Sequence, residues 1–241
     1  MRYSRQIPII GDDGQKRIEQ AHVAVAGCGG LGSNVITQLS VAGVGNFTII
    51  DCDVIEESNL NRQFVHCGNS GSKAMSMKDW ILRNNPDAKV KVMDVSLNEE
   101  NVNEFISSAE IVVDCLDNNE TRSLLNDACV KRNIPVVHGG INGMYGQVTF
   151  IKPGITPCLS CFLGKGDNER SSIGSAVAVI GSIEANEVLK YITGVGEVLT
   201  NQLLLIDLLS NSFEKVPINR REDCPVCGHL HKWPIDIFRV F

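Results

Sequence analysis

No uninterrupted apolar run in this 241-residue chain approaches the roughly 20 residues needed to span a bilayer. The N-terminus, Met1-Arg2-Tyr3-Ser4-Arg5, leads into Ile7-Pro8-Ile9-Ile10 and then Gly11-Asp12-Asp13-Gly14, so a signal-type apolar core is missing too. Both absences lead us to expect a cytoplasmic protein. A positive excess is also lacking. The net charge of -6 argues against a general nucleic-acid binder, which needs a basic surface, but leaves room for a local basic pocket. There is no internal repeat, no low-complexity segment and no linker strong enough to split the chain. Hydrophobic content of 43% and charged content of 21% fit one large globular domain.

Cysteine is what the chain has in excess. Nine are present, and the odd count argues against a complete disulfide framework. Four form two Cys-x-x-Cys pairs in turn-like sequence, Cys158/Cys161 after Thr156-Pro157 and Cys224/Cys227 around Pro225. In a reducing compartment two such pairs point to a tetrahedral thiolate zinc site. The 62 residues between them exceed the spacing of a compact zinc ribbon, so the metal would clip a distant tail onto the body. A redox dithiol and unrelated structural thiols are the other readings. Cys28, Cys52, Cys67, Cys115 and Cys129 read mostly as small buried hydrophobes, with Cys67 the least settled.

Read in order, the chain alternates strands and helices. Residues 14–20 suggest a short helix, 22–26 a buried strand, and 31–42 a helix stopped by Gly43. The strand 47–50 closes on Asp51, and the irregular stretch 52–71 is too long for an ordinary connection. Helices are expected at 73–82, 99–106 and 121–131, and strands at 90–92, 110–114 and 134–138. The pattern changes near Gly139-Gly140. An extended strand over 145–151 precedes the first cysteine pair, a polar loop at 164–174 reads as mobile, and a long helix over 176–191 ends at Gly194. Two late antiparallel strands fall at 203–208 and 213–216. The expected fold is α/β: a Rossmann-like, mostly parallel sheet with helices on both faces, late antiparallel strands and a zinc-clipped C-terminal tail.

Gly27-x-Gly29-x-x-Gly32 lies between the first strand and its helix, with Asp51 19 residues after Gly32. Such glycines let the backbone approach a phosphate at a helix N-terminus, and Asp51 would accept hydrogen bonds from ribose hydroxyls. Alone, the loop says only that a nucleotide binds. Asn59-Leu60-Asn61-Arg62-Gln63 follows closely and adds a guanidinium fork and amides that suit phosphate oxygens. A dinucleotide oxidoreductase has no need of that cluster, whereas a triphosphate does, so the site reads as one for chemistry on ATP. Lys73 opens a helix, where a cation opposes the dipole, which suggests that a ligand anion holds it there. Asp117-Asn118 follows a buried strand, at the end of the sheet where open α/β proteins place ligands, and an acid facing a triphosphate there is placed to hold magnesium. A surface arginine, a solvated lysine and a helix-capping acid are the plain alternatives for Arg62, Lys73 and Asp117.

Together these residues resemble the ubiquitin-activating-enzyme-like adenylyltransferases of the MoeB, ThiF and HesA type. The resemblance covers nearly the whole chain, through Arg2-Tyr3-Ser4-Arg5-Gln6-Ile7, Gly27 to Gly32, Ala42-Gly-Val-Gly-Asn46, Asp51-x-Asp53, Asn59-x-x-Arg62-Gln63, Lys73, Asp117-Asn118 and both cysteine pairs. It implies a homodimer in which Gly27, Gly29, Gly30, Gly32, Asp51, Asp53, Asn59, Arg62, Gln63, Lys73, Asp117 and Asn118 surround ATP with magnesium. Arg5, Arg62, Lys73 and Asp117 would be the catalytic set, with Arg5 reaching the partner subunit's ATP. Residues 1–20 would form an arm, 21–140 the ATP-binding part, and 141–241 the acceptor and zinc part.

In that family an acceptor carboxylate attacks the α-phosphate and leaves as an acyl-adenylate. The expected acceptor is the C-terminal glycine of a ubiquitin-like sulfur-carrier protein, and a small carboxylic acid is the rival. Members that form a thioester or persulfide place a cysteine before the long helix, and residues 164–175 contain none. Adenylation alone is therefore expected. A noncatalytic scaffold gains nothing from holding Arg5, Arg62, Lys73 and Asp117 together, and nothing resembles a hydride-transfer site.

Overall fold

The computed structural model describes residues 2–164 and 171–230. Helix α1 (Ile7–Gln20) leads into strand β1 (His22–Ala26), helix α2 (Gly30–Ala42) and strand β2 (Asn46–Ile50). After a long connection come α3 (Lys73–Asn84), β3 (Lys89–Met93), the single turn α4 (Val102–Phe105), β4 (Ile111–Asp114), α5 (Asn119–Arg132) and β5 (Val136–Asn142). The second half holds β6 (Tyr145–Ile151), the short α6 (Leu159–Phe162), α7 (Gly174–Thr193), β7 (Gln202–Asp207) and β8 (Ser212–Pro217).

All eight strands form one sheet in the order β3-β2-β1-β4-β5-β6-β7-β8. The first five run parallel and the last three antiparallel, as the sequence pattern implied. Apolar runs in β1, β2 and β4 are buried on both faces, which a covered parallel sheet requires. One core packs α1, α2, α3 and α7 on one face around Phe47, Ile49 and Phe150. The other packs α4, α5 and the four paired cysteines against the opposite face, around Phe105 and Ile106.

Two local readings need correction. The first helix begins at Ile7 rather than residue 14, and it kinks where Gly11 takes φ 73°. Pro8 sits in the first helical turn, where its missing N–H costs nothing. The helix expected over 99–106 shrinks to one turn. Asn98 accepts the N–H groups of Glu100 and Asn101, and Asn101 accepts that of Asn98, so side chains take the backbone donors a longer helix would use. Helix ends at Gly43 and Gly194 do adopt the left-handed cap. Of the polar loop at 164–174, residues 165–170 lie outside the described residues.

Candidate active site

The strand order reverses between β1 and β4, so their carboxyl ends open a crevice at the sheet's switch point. There the structure holds a cavity of about 380 Å³. Of the expected residues it gathers Gly27, Gly29, Gly30, Asp51, Asp53, Asn59, Arg62, Gln63, Lys73, Asp117 and Asn118 along its walls. Gly32 and Arg5 are not among them.

Gly27 has φ 94°, and a Cβ there would lie 2.8 Å from the Cys115 carbonyl oxygen. A Cβ on Gly32 would lie 1.8 Å from the Gly27 carbonyl oxygen, so Gly32 serves the close packing of α2 on its own loop rather than lining the cavity. Asp51 braces this loop: its Oδ2 accepts the Cys28 N–H at 2.6 Å and its Oδ1 the Asp53 N–H at 2.8 Å. Burial raises the Asp51 pKa, and those two N–H donors act against the rise.

The connection 52–71 is built from two tight turns, Glu57–Asn59 and Phe64–His66. Between them Asn59 Oδ1 accepts from Arg62 Nη2 at 2.6 Å, while Asn61 Oδ1 and the Ser58 carbonyl accept from Nη1 at 2.9 and 3.2 Å. Neutral acceptors thus fix the guanidinium without neutralising it. Lys73 is handled differently. It is 4% exposed, and its Nζ lies 2.8 Å from Asp53 Oδ2, so a protein carboxylate already supplies the anion expected of a ligand. Asn118 caps α5 by accepting the Thr121 N–H at 2.8 Å, which leaves the exposed Asp117 without the capping duty.

Sequence reasoning missed a buried brace beneath Asp117. The Leu116 N–H donates to Asp114 Oδ1 at 3.1 Å, and Arg122 donates to the Leu116 carbonyl from Nε at 3.0 Å and also from Nη2. His138 Nδ1 lies 2.8 Å from Asp114 Oδ2, and Gln147 Nε2 lies 3.1 Å from His138 Nε2. A carboxylate only accepts, so His138 carries its proton on Nδ1 and receives the Gln147 amide on Nε2. Burial would raise the Asp114 pKa, but Arg122 and His138 outweigh it and hold the carboxyl below its ordinary range. Burial and Arg122 lower the His138 pKa. Asp114, Arg122, His138 and Gln147 come from β4, α5, β5 and β6, and only the fold brings them together.

Arg5 is exposed on the turn before α1. Gln6 Nε2 donates to the Ala42 carbonyl at 2.8 Å, which ties this arm to the far end of α2. Thirteen helical residues put that end about 20 Å from the glycine loop. Cys52 lines the cavity and, like Cys67, is exposed, so these two depart from the buried reading; Cys28, Cys115 and Cys129 obey it.

The four paired cysteines converge, all buried, with their sulfurs within 4.8 Å of one another. Cys158 and Cys224 Sγ are 3.7 Å apart, and Cys161 and Cys227 Sγ 3.4 Å. A tetrahedron of zinc–sulfur bonds about 2.3 Å long spaces its sulfurs about 3.8 Å apart, so the cluster fits zinc. Burial raises the Cys158 and Cys227 thiols, whereas backbone N–H groups of Cys227 and Val226 and the neighbouring thiols overcome it at Cys224 and bring that thiol down to about 7.

Residues 3–226 match the ThiF family. The chain belongs to it. A SAMP-activating enzyme E1 from Haloferax volcanii is 38% identical, covering 94% of this chain and 88% of its own length. A sulfur carrier protein adenylyltransferase from Thermus thermophilus is also 38% identical, over 94% of this chain and 90% of its own. The fold superposes with a TM-score of 0.85 on Escherichia coli MccB crystallised with ATP, which is 25% identical, covering 95% of this chain and 75% of that one. This ThiF-family chain is an adenylyltransferase of the ubiquitin-activating-enzyme-like type. Among the described residues, no helix is long and apolar enough to cross a membrane.

Proposed function

We propose that the chain binds ATP with magnesium and adenylates the C-terminal glycine of a ubiquitin-like sulfur-carrier protein, releasing pyrophosphate. The observation that carries this reading is the meeting of the glycine loop, Arg62, Lys73 and Asp117 around one cavity. The names of the two relatives, one SAMP-activating and one acting on a sulfur carrier, support the choice of acceptor. Asp51 serves the ribose, Asn59 orients Arg62, and Arg62, Gln63 and Lys73 take the triphosphate, which competes with Asp53 for the lysine. Asp117 holds magnesium, whose charge offsets that of the phosphates. An α-carboxyl, with a pKa of about 3.5, is already ionised at neutral pH. Its oxygen therefore forms the bond to the α-phosphorus while the bond to pyrophosphate breaks, and no protein base is required. Positioning and charge stabilisation supply the catalysis.

The working unit is a cytoplasmic homodimer in which Arg5 serves the partner subunit's site; the tie of the neighbouring Gln6 to the end of α2, about 20 Å of helix from the glycine loop, supports that role. Zinc at the four cysteines is structural. Product stays at the acyl-adenylate, since residues 164–175 offer no thiol. The test is to incubate the protein with ATP, magnesium and ubiquitin-like carriers from the same cell, and then weigh every species. Adenylated carrier with unmodified enzyme is expected. If a small carboxylic acid is adenylated and no carrier is, the acceptor is wrong; a thiol-sensitive enzyme–carrier conjugate would show that a remaining cysteine takes part.

A further inference from the structure

His66 is fully buried, yet both of its ring nitrogens are engaged. Nε2 lies 3.0 Å from the Cys28 carbonyl oxygen, and Nδ1 lies 2.9 Å from Ser76 Oγ. The Asn69 amide donates to the same Oγ at 2.9 Å. These contacts settle the proton positions. A carbonyl only accepts, so Nε2 carries the hydrogen. Nδ1 is then an acceptor, and Ser76, already receiving from Asn69, gives its hydroxyl proton to it. Burial, and the nearby Lys73, lower the imidazole's pKa, in keeping with this neutral form.

The three partners lie on three different pieces of the site. Cys28 belongs to the glycine loop, His66 to the connection carrying Asn59, Arg62 and Gln63, and Ser76 to α3, one turn beyond Lys73. A single imidazole therefore fastens together the backbone and both cationic side chains around the cavity. Its bond to Cys28 also sets a direction. In a trans peptide the carbonyl and the following N–H point opposite ways. Drawing the Cys28 carbonyl inward to His66 turns the Gly29 N–H outward, toward the cavity that Gly29 lines. Asp51 holds the Cys28 N–H at the other end, so the residue is fixed on both sides.

We propose that His66 is a positioning residue for the nucleotide: it clamps the glycine loop so that the Gly29 N–H faces the phosphates, and it keeps Arg62 and Lys73 in register with that loop. This rests on the ATP site proposed above.

Glutamine carries its amide nitrogen at about the reach of Nε2 and asparagine at about that of Nδ1, so the two substitutions separate the bonds. His66→Gln keeps a donor for Cys28, and its ATP affinity should stay within about threefold of wild type. His66→Asn loses that donor, and its ATP affinity should fall about tenfold, the cost of one good hydrogen bond. The acceptor KM should move in neither. Hydrogen exchange in the ATP-free protein reads the clamp independently: amides of residues 27–31 should exchange faster in His66→Asn and not in His66→Gln. If His66→Asn does not fold, Ser76→Ala takes its place, with the same loop exchanging faster and a smaller loss of ATP affinity. Equal exchange and equal ATP affinity in His66→Gln and His66→Asn would overturn the clamp. Faster exchange in His66→Asn, together with a wild type that binds no ATP, would retain the clamp and overturn the ATP site.

Discussion

Glu184 in α7 is a buried carboxyl that should lower the stability of this protein at neutral pH. It is fully buried against β5, where Gly139 makes room: a Cβ there would lie 2.2 Å from the Glu184 Cδ. Its Oε1 is 3.7 Å from Cys115 Sγ, and its Oε2 has no hydrogen-bond partner among the described residues. Burial, and then the charge of Asp114, raise its pKa well above the ordinary value. A raised folded-state pKa gives stability that is fully present below the unfolded value, about 4.3, and lost as pH rises. The folded chain must keep a proton that the unfolded chain releases, at about 1.4 kcal/mol per pH unit.

Glu184→Gln removes that linkage and keeps the shape. On the unpartnered side a protonated acid brings one donor and an amide two, so the substitution adds an unmet donor whose cost does not vary with pH. The variant should therefore gain on wild type as pH rises above about 4.3, by up to about 1.4 kcal/mol per pH unit for as long as the folded carboxyl keeps its proton. For a chain of this size each kcal/mol gained is about 2–4 °C in Tm. Buried histidines also destabilise the fold as pH falls, because His66 and His138 have lowered pKa values. They are common to both proteins and drop out of the difference. Urea unfolding of the metal-loaded proteins from about pH 5 to about pH 7 is the assay. A stability difference between variant and wild type that does not grow with pH would refute the reasoning.

Elemental analysis should find one zinc per chain, and Cys224→Ser should lose it together with part of the stability; metal-free protein with four free thiols would remove the site. Arg62→Ala and Asp117→Ala should fold and lose about a hundredfold in pyrophosphate exchange, the usual effect of deleting one preorganised transition-state contact. Near wild-type exchange in either would mean that the reaction occurs elsewhere. Chains carrying Arg5→Ala, mixed with chains carrying Asp117→Ala, should recover some activity, because one hybrid site receives both intact halves. No recovery in proven heterodimers would rule out a role for Arg5 across the interface.

The parts of the site legible in the sequence are those held in short stretches. Gly27-x-Gly29-x-x-Gly32, Asn59-x-x-Arg62-Gln63 and the Cys-x-x-Cys pairs each occupy a few neighbouring positions, and their spacing alone suits a loop at a helix N-terminus, a cluster of polar phosphate-facing groups, or a metal. Strand and helix periods likewise reveal the α/β alternation, because apolar residues must fall on the buried face of each element. Local competition limits this even at short range, as Asn98 and Asn101 do in the turn before α4.

What tertiary structure decided is which distant residues become partners. The anion beside Lys73 is Asp53, 20 residues away; the Cys28 carbonyl of the glycine loop is met by His66, 38 residues from it; and Glu184 meets Cys115 across 69 residues. Arg122, His138 and Asp114 look like an ordinary helix arginine, a strand histidine and a strand-end acid until β4 and β5 align and α5 closes over them. Burial gives such contacts their weight, since a polar group removed from water must find its partner inside the fold. The sequence by itself therefore determined the family, the strand and helix alternation and the motifs that line the cavity. Only the folded sheet decided how those motifs are braced, because that depends on which side chains the strand order places together in a dry interior.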